Sequence, residues 1–223
     1  MAVAKVAASA PQQFEDVTSV TFGFAAGSGA SKAVVDVGWY RGTSVTVTSV
    51  TYDGVAMTSA GSSNVNFDFP MRIHSFYIDS PPTGSVNVVV NFSSSNTNRG
   101  TCGATSYSGT ATGIGAVTSS NSQSDTPSVT EPDSTAGNMV HGALAASYQA
   151  TTLTPNDTEN WTGASGTAWK AASQCISGGG SKTIDWTASS AFTAWAAQCF
   201  ELTAAASANV NAQQQNAISS GGF

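Results

Sequence analysis

Thr43-Ser-Val-Thr-Val-Thr-Ser-Val-Thr-Tyr-Asp-Gly-Val-Ala-Met-Thr58 decides the fold class. Two β-branched runs meet at Asp53-Gly54, the two-residue signal for a type I′ hairpin turn. Both central residues of that turn need φ > 0, which glycine adopts freely and Asp tolerates better than most residues. Val45 and Val47 share one parity, and Val50 and Tyr52 the other. Strict alternation breaks at Thr48-Ser49, which predicts a bulge that keeps the apolar set inward. The alternative is a strand crossing between two environments. The stretch specifies folding and contains no chemistry.

Further strands are predicted on both sides of it. Val17–Phe24 places Val20, Phe22 and Phe24 on one face, and Ala33–Tyr40 alternates Val35, Val37 and Trp39 against Val34, Asp36 and Gly38, a half-buried pattern. Met71–Ile78 follows, then the turn Ser80-Pro81-Pro82-Thr83-Gly84, where proline cannot donate to a ladder and glycine permits reversal. Val86, Val88, Val90 and Phe92 alternate most cleanly, and Thr101–Ser108 resumes beyond a polar loop. Residues 118–134 read as a long loop holding at most a short strand, and 151–166 as a loop holding Trp161. Asn138–Gln149 reads as a strand over a helix because Gly142 interrupts it and no amphipathic period is present. Ala168–Ile176, Lys182–Trp186 and Phe192–Leu202 complete the set.

About eleven short strands between turns predict an all-β fold, a two-sheet antiparallel sandwich of jelly-roll-like form, with immunoglobulin-like connections as the alternative. No repeat of the kind that builds propellers or β-helices is visible. The expected organisation is an N-terminal arm over 1–13, one sandwich domain over 14–203, and a flexible C-terminal arm over 204–223 rich in Ala, Asn and Gln.

Of 223 residues only 9% are charged, against roughly 25% in an average soluble domain. Short polar side chains take their place, which suits a surface of strands and turns and also a protein held in a fixed assembly. The 13 acids and 7 scattered bases give a net charge of −6 and form no basic stripe, so nucleic-acid binding is not expected. No run of ~20 apolar residues predicts a membrane span. Ala8-Ser9-Ala10 has the form of a cleavage site, but the apolar stretch before it is too short and interrupted for a leader.

Candidate chemistry is sparse. Cys102, Cys175 and Cys199 lack metal-ligand spacing and read as buried thiols, with a Cys175–Cys199 disulfide as the alternative. His74 and His141 are the two histidines, and neither lies near a Gly-x-Ser-x-Gly elbow. Most acids, Asp53 among them, fall in turns where Asp bonds locally. The acids at 131, 133, 157 and 159 lack the frame of an EF-hand loop. No catalytic residue, cofactor or metal is therefore expected. Among the tryptophans, Trp161 in its polar loop is the candidate for surface contact with a ligand or partner, together with Asn160 and Asp157. Asp53, Gly54, Pro81, Pro82 and Gly84 are assigned to turns.

Val47–Thr58, Phe76-Tyr77-Ile78, Ser80–Val88, Ala104–Gly109, Ile184-Asp185-Trp186-Thr187 and Ala194-Trp195-Ala196 together resemble a widespread group of β-sandwich domains found in phage structural proteins and bacterial surface proteins. The similarity spans residues 15–202 and rests on turn and core positions. It implies a virion structural protein, most readily a capsid decoration or cement protein that is made in the host cytoplasm, resides in the virion and binds capsid proteins and copies of itself. The alternative implied is a carbohydrate- or receptor-binding module of a tail fibre or surface protein, with glycan as the partner. No catalytic residue comes with the resemblance.

Overall fold

The computed structural model describes residues 1–41, 45–66, 70–95, 98–124, 126–148, 152–165, 169–188 and 192–206. They form antiparallel strands, with no helix among them. The first ten strands are β1 (Ala4–Ala8), β2 (Gln12–Glu15), β3 (Ser19–Ala25), β4 (Lys32–Arg41), β5 (Val47–Tyr52), β6 (Val55–Ala56), β7 (Thr58–Val65), β8 (Met71–Asp79), β9 (Ser85–Phe92) and β10 (Asn98–Ser108). The remaining eight are β11 (Val117–Ser122), β12 (Ser128–Ser134), β13 (Met139–Tyr148), β14 (Leu153–Pro155), β15 (Thr158–Ser165), β16 (Trp169–Ser177), β17 (Gly180–Ala188) and β18 (Phe192–Leu202).

The Asp-Gly hairpin is present as predicted. Asp53 and Gly54 have φ of 52° and 76°, and Tyr52 pairs with Val55 across them. The register of β5 against β9 slips between Val47 and Ser49, so Thr48 is the extra residue of the bulge. Val45, Val47, Val50 and Tyr52 all point inward as a result. Ser80 and Gly84 take positive φ at either end of the Pro81-Pro82 turn between β8 and β9.

The strands form four sheets where the sequence predicts two. One has the order β1–β10–β4–β8–β7, with β2 also on β10, and a second the order β3–β9–β5–β6. The core between them holds Phe22, Phe24, Val35, Val37, Trp39, Tyr52, Val88, Val90 and Phe92. The other two run β11–β18–β13–β16–β15 and β12–β17–β14. Their core holds Val129, Leu144, Leu153, Ile184, Trp186, Trp195 and Cys199.

Matching strands by partner maps β3 to β12, β4 to β13, β5 to β14, β7 to β15, β8 to β16, β9 to β17 and β10 to β18. The region expected as one sandwich domain over 14–203 thus holds two units of one topology. The trace in sequence is short: Asp16-Val-Thr-Ser-Val-Thr21 against Asp125-Thr-Pro-Ser-Val-Thr130.

The larger sheets of the two units lie face to face. β4 contacts β13 and β16, β8 contacts β13, β10 contacts β15 and β16, and β18 contacts β7 and β8. Exchanging the units exchanges these contacts, as a near-twofold relation requires. Small side chains let the sheets approach: a Cβ built on Gly38 would sit 2.6 Å from the Ala171 Cβ and 3.2 Å from that of Ala145. The half-buried reading of Ala33–Tyr40 fails here. β4 is buried on both faces, with Val35, Val37 and Trp39 toward the first core and Val34, Asp36 and Gly38 toward the second unit.

Other expectations are corrected. The stretch expected as an arm over 1–13 carries β1 and the start of β2, both paired with β10. The predicted loops over 118–134 and 151–166 contain β11, β12, β14 and β15. Cys102, Cys175 and Cys199 are free and buried. Cys175 faces the seam between the units while Cys199 faces the second core, so the pairing alternative is closed by geometry. Ala204 bridges to Thr110, and the rest of the predicted C-terminal arm from 207 onward lies outside the described residues.

Candidate functional site

Every strand of the two central sheets alternates its side chains, so the seam receives one set from each. At its middle these sets are polar. Asp36 and Ser75 are cross-strand neighbours on β4 and β8. Tyr107 stands on β10, His141 on β13, Asn160 on β15, Ser173 on β16 and Gln198 on β18. Asp36, Ser75, Tyr107, His141, Ser173 and Gln198 are buried completely and Asn160 nearly so.

One assignment of hydrogens satisfies the chain of contacts. His141 Nε2–H donates to Asp36, at 3.1 Å from each carboxylate oxygen. Tyr107 O–H donates to His141 Nδ1 at 2.7 Å, and its oxygen accepts from Asn160 Nδ2 at 3.0 Å. Ser75 O–H donates to Asp36 Oδ1 at 2.5 Å while accepting from Gln198 Nε2. Asn160 also donates to Ser173 Oγ at 3.1 Å and accepts from the Cys175 thiol at 3.5 Å. Burial holds the Tyr107 phenol well above its ordinary range, so it keeps the proton it donates.

Ser, His and Asp meet here, yet not as a nucleophile triad. In a triad the two imidazole nitrogens serve different partners, one the carboxylate and one the nucleophile. Here Asp36 and Ser173, the latter at 3.4 Å, both lie on Nε2, and Tyr107 occupies Nδ1. A buried hydrogen-bonded network fixes one relative placement of the layers it joins, although here Gln198 Oε1 is left without a partner. This cluster locks the units in register. His74 stands apart, with burial and then the Arg72 charge lowering it to about 4 while its Nε2 bonds Ser59 Oγ at 2.8 Å.

The ligand-contact trio proposed from sequence is not a surface. Trp161 is 2% exposed, its ring packed on Gly103, where an added Cβ would lie 2.6 Å from the indole. Asn160 points into the polar cluster. Both side chains face inward because the register of β15 against β16 slips between Glu159 and Trp161, making Asn160 the extra residue of a bulge. Asp157 is half-buried, and its N–H donates to Gln174 Oε1 at 2.9 Å. No alternation signal exposes such a bulge, although the adjacent Asn-Trp pair in a polar stretch marks it in retrospect.

Among the described residues, Trp169 reaches an open cleft. It stacks on Tyr40 with ring centroids 4.3 Å apart and an interplanar angle of 17°. With Asp16 and Arg99 the two rings line a cavity of about 250 Å³ at one end of the seam. Glu15 holds Arg99 at 2.7 Å, and Asp16 is in the left-handed region with φ of 48°. Stacked rings rimmed by a guanidinium and a carboxylate can receive a planar or ring-shaped polar ligand.

Among the described residues no group of three His, Cys, Asp or Glu side chains is placed to hold a metal ion. Glu131 on β12 is 8% exposed, and its Oε2 has no hydrogen-bond partner. Burial first, then the charges of Glu201 and Asp133, raise its carboxyl above the ordinary value. A raised folded value means the charged form burdens the fold at neutral pH, and the burden lifts as pH falls through that value. Glu131→Gln is expected to melt higher than the parent chain at pH 7, with the gap closing toward the ordinary carboxylate range. Thermal melts over a pH series check this, and a gap independent of pH would contradict it.

Comparison with protein-family models, with curated proteins and with solved structures finds no match.

Proposed function

We propose that the chain is a non-catalytic phage virion structural protein, a capsid decoration or cement protein that binds capsid proteins and copies of itself on the shell. The observation that carries the reading is where the polar chemistry sits. Among the described residues the largest cluster of chemistry-bearing side chains is sealed in the seam, while the outer faces present mostly short uncharged ones, with Asp133, Lys182 and Asp185 the charged exceptions on β12 and β17. Ser19, Thr21, Gly23, Ser85 and Asn87 face outward on β3 and β9, and Thr130 and Thr183 on β12 and β17, where their hydroxyls lie 2.9 Å apart. Such a surface offers flat neutral faces and strand edges, which bind by shape and backbone addition and gain from multivalency across a lattice.

Each unit is read as a jelly roll. In the first unit the chain alternates between the six-stranded sheet β1–β10–β4–β8–β7, with β2 on β10, and the four-stranded sheet β3–β9–β5–β6, and in the second between a five-stranded and a three-stranded sheet, the two-sheet alternation of that fold. Jelly rolls recur in viral capsid and lectin domains, an analogy of fold that raises the assembly reading without identifying a partner. Protein quantification of purified particles tests it. The reading expects copy numbers that match the shell lattice and density on the capsid surface, and a few copies confined to the tail would overturn it.

The cleft of Tyr40 and Trp169 favours a second reading, a glycan-binding module, since sugar rings stack on aromatic faces while charged groups at the rim bind their hydroxyls. Glycan binding abolished by Trp169→Ala would put this reading ahead.

A further inference from the structure

The open edge of β3 differs from its counterpart in the second unit. Sheet edges expose unpaired N–H and C=O groups, which natural proteins guard with proline, charge, bulges or cover. On β12 the guards are present: Glu131, Pro132 and Asp133 follow Ser128-Val-Thr130, and the register on β17 slips between Glu131 and Ser134. On β3 the same opening, Ser19-Val-Thr21, runs into Phe22-Gly-Phe-Ala25, with no charge, no proline and an unbroken register on β9. No described strand lies on its other side.

The hydrogen-bond phase of that edge is determined. Phe92 N–H donates to Thr18 O at 2.8 Å, and Thr18 and Phe92 stand opposite in the β3–β9 register. In an antiparallel ladder bonded pairs alternate. Val20, Phe22 and Phe24 therefore bond β9, and Ser19, Thr21, Gly23 and Ala25 turn their N–H and C=O groups to the open side.

We infer that β3 is a self-association edge that pairs antiparallel with β3 of a second copy of this chain, about a twofold axis at Phe22. In that register Thr21 meets Gly23 and Ser19 meets Ala25 as hydrogen-bonded pairs, each made twice. All four are residues whose backbone groups point outward. Val20 meets Phe24 and Phe22 meets Phe22 on the inner face, the aromatic and β-branched pairings that stabilise strand contacts. The opposite face receives only hydroxyl, methyl and hydrogen. No charged side chain lies on β3, so no like charges are opposed in spite of the net charge of −6. The result is one continuous sheet through both copies, an isologous contact that uses one edge per molecule. The second unit, with its guarded edge, is left to other partners. The contact deepens the assembly reading by naming a copy-to-copy interface.

Sedimentation velocity of the purified full chain over a concentration series tests the inference. A reversible dimer is expected. Thr21→Pro deletes the outward N–H without touching the ladder to β9, and should weaken association about tenfold or more, since each copy loses a bond. Thr21→Lys places a cation on the edge and should do the same, while Thr130→Lys, at the matching position of β12, should leave association unchanged. Circular dichroism and melting temperature of each variant keep the fold in view. A monomer at every concentration, or a dimer indifferent to both Thr21 substitutions, would overturn the inference. A monomer found on capsids would sink the edge and spare the assembly reading, whereas an edge dimer absent from particles would do the reverse.

Discussion

Asp36→Ala is expected to lower the unfolding free energy by about 3–5 kcal/mol, since two buried donors each lose their acceptor at roughly 1–3 kcal/mol apiece. Asp36 accepts from both Ser75 and His141 in a site with no solvent exposure. Without it, the His141 Nε2–H and the Ser75 hydroxyl lose their acceptor and water cannot replace it. For a chain of this length each kcal/mol moves the midpoint by roughly 2–4 °C, so a fall of about 6–20 °C is expected. Asp36→Asn retains an acceptor and should cost less. Denaturant titration with an unchanged slope would place the loss in the folded state. A double cycle with His141→Leu should show strong coupling, because the two side chains belong to one network. A loss below about 1 kcal/mol, the scale of an ordinary exposed pair, would contradict the role assigned to the cluster.

Gly38→Val is the second large effect, with an expected cost of about 3 kcal/mol, the upper end of overpacking. The added Cβ alone lies 2.6 Å from the Ala171 methyl carbon and 3.2 Å from that of Ala145, with the Ile73 Cδ1 at 3.5 Å. An alanine methyl has no rotamer by which to retreat, so it yields only if its strand moves. The sheets must part, and both hydrophobic clusters flanking the polar network are then strained. Ala171→Gly removes the nearest obstacle and should restore part of the loss, although alone it costs about 0.5–1 kcal/mol as a glycine within a strand. Equilibrium unfolding of the two single variants and the double variant measures the rescue. Simple additivity would show that the seam is looser than the distances imply.

The features legible in the sequence are those set locally. The Asp53-Gly54 turn, the bulge at Thr48, the Pro81-Pro82 reversal and the alternation of β9 each depend on a few adjacent residues, and each stands where predicted. What local reading misses is what covers the second face of a strand. Val34, Asp36 and Gly38 look like a solvent-facing set because two of the three are polar or lack a side chain. They are buried because another unit supplies partners for them. The signal was in the small residues of the second half: Ala143, Ala145, Ala171, Ala194 and Ala196 lie within strands and face the seam or its flanking clusters, where only short side chains allow close approach. The topological repeat was hidden for a related reason. Equivalent strands of the two units face different neighbours, so beyond Ser-Val-Thr the repeat persists in pairing order more than in residue identity. Asn160 and Trp161 face inward because a bulge turns both, and Trp169, placed in a strand pattern, lines an open cleft.

The account depends on the two units being one folded body, joined through a sealed polar centre, with binding left to outer faces and edges. Native-state amide hydrogen exchange tests that most directly, because it reports the opening free energy of each strand separately. The account predicts that the amides of β4 and β13 exchange only through one shared global opening, with the same free energy in both units. Exchange of β13 and β16 at a clearly lower free energy than β4 and β8 would show that the second unit opens on its own, and would contradict it.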